Sequence, residues 1–197
     1  METDKPEFWE QAFKEKKEMW GFEPSNSAIQ AKEFFSQNSV RNILIPGIGY
    51  GRNAQLFKEC GITVTGIEIS ETAINMAKEH FGSDTIIYHG SVTQMPFDQC
   101  KYDGIFCHGL IYLLNYKERE KLIQDCFNQL TDNGHMIFTV ISKQASTYGQ
   151  GRLISKDRYE MFGGVKIFFM IVNPLKLSLE TLVCLTYLKS PKTIHSF

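Results

Sequence analysis

Two rhythms of apolar positions alternate along this chain. Phe8, Trp9, Ala12, Phe13 and Trp20 recur on one side of residues 6–20, with Lys and Glu between them, which predicts an amphipathic helix. A loop, GFEPSNSA, follows, and Ser25 or Asn26 can cap a second helix over 27–37. Ile43–Ile45 is a short apolar run of strand type. Arg52–Cys60 returns to the helical rhythm and stops at Gly61. The alternation then repeats: strand Thr63–Ile67, helix from Ser70–Glu71 to His80, strands Thr85–Tyr88 and Gly104–Cys107, helix Lys117–Leu130 stopped by TDNG, strand His135–Ile141. Strands alternating with helices predict a mostly parallel sheet with helices on both faces, a three-layer αβα arrangement of Rossmann-like type.

Composition narrows the class. With 197 residues the chain suits one domain, and its 43% apolar content is enough for a core. A net charge of −1 gives no electrostatic reason to expect nucleic acid or an anionic membrane as partner. The five cysteines are scattered and lack a C-x-x-C pair, which speaks for a reducing, cytoplasmic setting rather than a disulfide framework. The charged N-terminus is unlike a signal peptide, and no apolar run approaches the roughly 18 residues of a membrane span. His89 and His135 have no partner at metal-ligand spacing, so no metal is expected.

The chemistry begins at NILIPGIGYGRNA, residues 42–54, where the first strand runs into Gly47, Gly49 and Gly51. Glycine tolerates positive φ and holds no side chain between backbone and ligand. Such a turn lies at the carboxyl edge of an open α/β sheet, where ligands bind. Glu68 ends the second strand 21 residues after Gly47, where an acidic side chain accepts ribose hydroxyls in nucleotide-binding folds. The dinucleotide fingerprint needs a glycine at position 52, and this chain has Arg52. That weakens a nicotinamide-dependent oxidoreductase, the rival reading among enzymes.

The spacing G-x-G-x-G resembles motif I of the class I S-adenosylmethionine (SAM) methyltransferases. VTGIEIS (64–70) is similar to their second motif, YHGSVTQMPFD (88–98) to the segment passing the adenine, YDGIFCHGLIYLL (102–114) to the fourth-strand motif, and LTDNGHMIFTV (130–140) to the fifth strand. The resemblance covers about 40–142 in order. It implies SAM as cofactor, held by Gly47, Ile48, Gly49 and Gly51, by Glu68 and Ile69 at the ribose, and by Ser91 and Val92 beside Gly90 at the base. IPG is similar to thiopurine- and thiol-methyltransferases, and GRNA to tellurite-resistance methyltransferases, which puts Arg52 and Asn53 near the methionine end. Ile45 stands where many relatives carry an acidic residue. The aromatic lead-in with Trp9 and Trp20 is similar to that of these small-molecule enzymes, so the implied activity is methyl transfer to a small molecule; the resemblance leaves the acceptor open, with a thiol or chalcogen as one candidate.

A sulfonium methyl is transferred in line, so positioning matters most and a soft nucleophile needs little help from a base. Trp20, Tyr50, His108 and Tyr112 are the candidates for lining this region, with Trp20 and His108 toward the cofactor and Tyr50 and Tyr112 toward the substrate. No catalytic residue is assigned. The segments read as a helical lead-in (1–38), a SAM-binding core (40–142), a stretch that can cover the substrate (143–169, with Arg152, Tyr159 and Phe162), and an atypical tail (170–197). The tail has no glycine and Glu180 as its one acidic residue. One reading makes it a frameshifted continuation, leaving the sheet incomplete and an edge strand bare for self-association. The other makes it a divergent tail with a strand such as Leu182–Leu188. A damaged tail also keeps alive a protein that binds SAM without turnover.

Overall fold

The computed structural model describes residues 6–161, 163–171 and 182–188. Five strands form the parallel part of the sheet: β1 (Asn42–Pro46), β2 (Thr63–Glu68), β3 (Ile86–His89), β4 (Tyr102–Cys107) and β5 (Leu130–Ser142), in the order β3-β2-β1-β4-β5. Successive side chains of a strand face opposite sides. Leu44, Ile105, Cys107, Met136 and Phe138 therefore pack with Leu122 and Cys126 of α5 (Tyr116–Gln129). Ile43, Ile45, Phe106 and Ile137 pack on the other side with Ala28, Ala31 and Phe35 of α2 (Asn26–Gln37) and Phe57 of α3 (Arg52–Lys58). This is the expected αβα layering of a Rossmann-like fold.

The helix starts follow the capping residues. The Ser25 hydroxyl accepts from Ala28 N–H, and Ser70 opens α4 (Glu71–Phe81) by accepting from Ala73 N–H. Asn115 and Glu118 close a reciprocal capping box on α5. The first helix differs from expectation: α1 (Pro6–Lys16) stops short of residue 20, because Lys17 takes φ 46° and turns the chain. Trp20 therefore sits in a loop rather than on the helix. The TDNG segment does not separate α5 from a later strand. Leu130 already pairs with Tyr102, and the next pair is Gly104 with His135, so residues 131–134 form a bulge within β5. A Cβ at Gly134 would lie 2.8 Å from Leu130 Cγ, so the bulge requires glycine there.

Beyond β5 the chain builds a small antiparallel sheet, β6 (Arg152–Ser155), β7 (Arg158–Met161) and β8 (Val165–Met170). It meets the main sheet at two register pairs, Ile141 with Phe169 and Ser142 with Met170. β9 (Leu182–Leu188) pairs antiparallel with β5 from His135 to Ile141. The bare β5 edge expected from a failed tail is thus absent, since seven residue pairs cover it. The tail supplies a strand, as the alternative reading had it, and the expected route to self-association through that edge is closed.

Candidate functional site

A cavity of about 560 Å³ opens at the carboxyl ends of β1, β2, β4 and β5, within the range of small-molecule sites. One wall is the turn between β1 and α3. Gly47, Gly49 and Gly51 have φ of 71°, 60° and 84°, a region that favours glycine. A Cβ at Gly47 would come within 3.1 Å of Leu110 Cδ2, whereas at Gly49 the nearest atom is Phe13 Cζ at 3.9 Å. Gly49 therefore keeps open space above the loop. Gly47, Ile48 and Gly49 line the cavity, while Gly51 lies behind them as the N-cap of α3.

Glu68 lies at the floor, 6% exposed, and lines the cavity. Its Oε2 accepts from Gly49 N–H at 2.8 Å, and its Oε1 from Ile69 and Ser70 N–H at 2.8 and 3.0 Å. Burial pushes its carboxyl up, against the opposing pull of these three N–H groups. The side chain read as a ligand acceptor is therefore also the brace of the glycine turn. Ile69, Ser91 and Val92 line the adjoining wall. Ser91 is held by Thr93, whose N–H donates to its hydroxyl at 3.2 Å. Gly90 has no room for a side chain, since a Cβ would stand 2.5 Å from Phe97 Cζ.

Arg52 and Asn53 also line the cavity, and both secure the lead-in. Arg52 donates to Trp20 O at 2.7 Å and Glu23 O at 3.3 Å, and Asn53 Oδ1 accepts from Ser25 N–H at 2.9 Å. The Tyr50 hydroxyl donates to Gly21 O at 2.6 Å, and its ring stacks with Trp20 at 6.3 Å between centroids. Trp9 and Phe13 of α1, which read as packing residues in sequence, reach the same cavity. Glu10 ties that helix to the start of α4, accepting from Ser70 Oγ, Thr72 N–H and Thr72 Oγ1 at 2.7, 3.1 and 2.6 Å. Burial would raise the Glu10 carboxyl, but the bonds from Thr72, Ser70 and Lys14 outweigh it and hold it at about 2.

His108 follows β4 and faces the cavity, with Nδ1 2.9 Å from Ser27 Oγ. Burial, and then the charge of Arg52, lower its pKa to about 4, so the ring is neutral at pH 7. Burial, with a contribution from Cys107, pushes the Tyr112 hydroxyl up to about 12, so it keeps its proton. Tyr112, Leu113, Leu114, Ile141, Val165 and Ile167 make the remaining wall, the last two from β8. Arg119 and Arg158 fasten it, donating to Leu114 O at 2.6 Å and Leu113 O at 3.1 Å. Arg152 is a correction: it is exposed on β6, paired with Glu160 at 2.7 Å, and outside the cavity. The cross-strand register opposes it to Glu160 rather than to a ligand. Phe162 lies outside the described residues.

Comparison with known proteins agrees with this geometry. Residues 44–138 match the model of a methyltransferase domain. A protein of Geobacillus sp. (strain WCH70) named as a methyltransferase is 30% identical over 121 residues, covering 59% of this chain and 49% of its own. The chain thus spans about half the length of that curated relative. The CcbJ methyltransferase of Streptomyces caelestis superposes with a TM-score of 0.58 at 20% identity, over 71% of this chain and 58% of its own. The plantazolicin methyltransferase BpumL, crystallised with SAH, gives 0.53 at 18% identity, over 59% and 46%. Residues 44–138 are thus similar to a methyltransferase domain, and the solved neighbours share the fold described above.

Proposed function

We propose that this protein uses SAM to methylate a small-molecule nucleophile. One observation carries the reading: the glycine turn and a buried carboxylate share a cavity with an apolar wall supplied by the stretch after β4 and by β5 and β8. The site fits the cofactor. Gly49 leaves space above the turn, and Glu68 Oε2, with one bond from Gly49, retains acceptor capacity for ribose hydroxyls. Ser91 and Val92 flank the base, while Arg52 and Asn53 stand near the methionine end. When bound, SAM supplies an electrophilic methyl on a sulfonium. The chain's part is to orient the acceptor for in-line attack and to exclude water.

The aromatic rings of Trp20 and Tyr50 suit a cationic group, and neutral His108 does not repel one. Neither His108 nor Tyr112 is tuned as a general base near pH 7. A nucleophile that needs no help from either ring, such as the thiol or chalcogen expected from the resemblance, suits such a site. The stretch 143–169 acts as the substrate cover through Val165 and Ile167. Calorimetry with SAM, SAH and NAD, followed by turnover with small thiols and selenols, tests the reading. Micromolar SAH binding and release of SAH on turnover are expected. NAD binding in preference to SAH would return the oxidoreductase, and SAH binding with no transfer to any acceptor would favour a protein without turnover.

A further inference from the structure

The apolar wall of the cavity contains one carboxylate that the proposed transfer leaves unused, Glu118. It is fixed rather than wandering: Oε2 accepts from Asn115 N–H at 2.7 Å, and Glu118 N–H donates back to Asn115 Oδ1 at 3.1 Å. The charge of Glu118 acts on Arg119, but the nearby cations hold other partners. Arg119 binds Leu114 O and lies 3.7 Å from the centroid of the Phe168 ring, and Lys121 pairs with Asp125 at 2.5 Å. Among the described residues Glu118 has no ion-pair partner.

We infer that Glu118 docks an ammonium group, making the acceptor an apolar small-molecule amine. This rests on the proposed methyl transfer and adds the chemistry of its acceptor. Tyr112, Leu113, Leu114, Val165 and Ile167 line the same cavity as Glu118 and suit a hydrocarbon or aromatic body. A purely apolar occupant would strip water from the carboxylate without replacing its hydrogen bonds, which is unfavourable. An ammonium replaces them with a charge-assisted bond. A carboxylate-bearing acceptor is repelled. The ammonium fixes one end of the acceptor, and the nucleophile is whichever atom the anchored body then presents to the methyl group.

The test uses the full chain saturated with SAH, titrated by calorimetry with 2-phenylethylamine, 2-phenylethanol and phenylacetate. The amine is expected to bind at least about tenfold more tightly than the alcohol, and phenylacetate least. Glu118→Gln retains the capping oxygen, since Gln serves at this helix position, so thermal stability and SAH affinity stay as they were. In that variant the preference for amine over alcohol disappears. Equal affinities for amine and alcohol, no binding of the amine to the SAH complex, or a preference that survives Glu118→Gln would overturn the inference. Failure of SAH itself to bind would strike the proposed function instead, and this inference with it.

Discussion

Replacing Glu68 with Ala removes the acceptor of three backbone N–H groups at once, those of Gly49, Ile69 and Ser70. Hydrogen bonds to a charged group contribute roughly 1.5–3 kcal/mol each, and a donor left buried and unpaired costs about 1–3 kcal/mol. The three losses are not equal. The Ser70 bond is buried, so its donor bears most of that penalty, whereas Gly49 faces the cavity and water can replace its partner. Relief from burying a carboxylate offsets part of the loss. The net destabilisation is about 2–4 kcal/mol, or roughly 5–15 °C in Tm for a chain of this length. SAH affinity should fall at least about tenfold, through loss of the ribose acceptor and of the turn's shape. Denaturant melts and calorimetry measure both, and Glu68→Gln, which keeps one oxygen, should fall between Ala and the parent. An Ala variant with unchanged stability would refute the bracing role, and unchanged SAH affinity in a folded variant would take Glu68 out of the binding site.

Gly49→Ala forces a Cβ onto φ 60°, so it should cost about 1 kcal/mol in melts but remove most SAH binding; retained binding would make the glycine purely structural. His108 titrates near 4 when folded and near 6.5 in its ordinary state, so the unfolded chain holds the extra proton between these values. Stability should therefore fall by up to about 3 kcal/mol as pH drops from 6.5 to 4, and urea melts of His108→Gln should lack that slope. Ending the chain at residue 171 strips β9 from β5, so light scattering should show increased self-association; a monodisperse, equally stable product would show that β9 does not protect that edge.

The alternation of rhythms was enough to read the parallel sheet, because buried strands and amphipathic helices write their periods locally. Gly47, Gly49 and Glu68 were legible for a similar reason: their spacing along the chain mirrors one turn and one strand end. The cover was not. β6 to β8 are short, and their turns depend on Asp157 at φ 62° and on Gly163 and Gly164 at φ 74° and 103°. The i, i+2 relation of Val165 and Ile167 was the available signal. Trp9 and Phe13 were readable as an apolar helix face, but periodicity does not say what such a face covers. Glu118 reads as an ordinary charged helix residue, and only the fold brings it to the cavity wall.

The joint between β5 and β8 has an evolutionary consequence. The glycine turn and Glu68 belong to the segment 42–68, while Val165 and Ile167 belong to a small sheet joined to the main one by two register pairs. A substitution, insertion or exchange within 143–169 can reshape one side of the cavity while disturbing few of the bonds that shape the other. The two halves of the site can then drift at different rates, the turn and Glu68 held constant while the apolar wall is revised. A chain divided this way is well placed to diverge by recombination, each new wall being tried against an unaltered glycine turn.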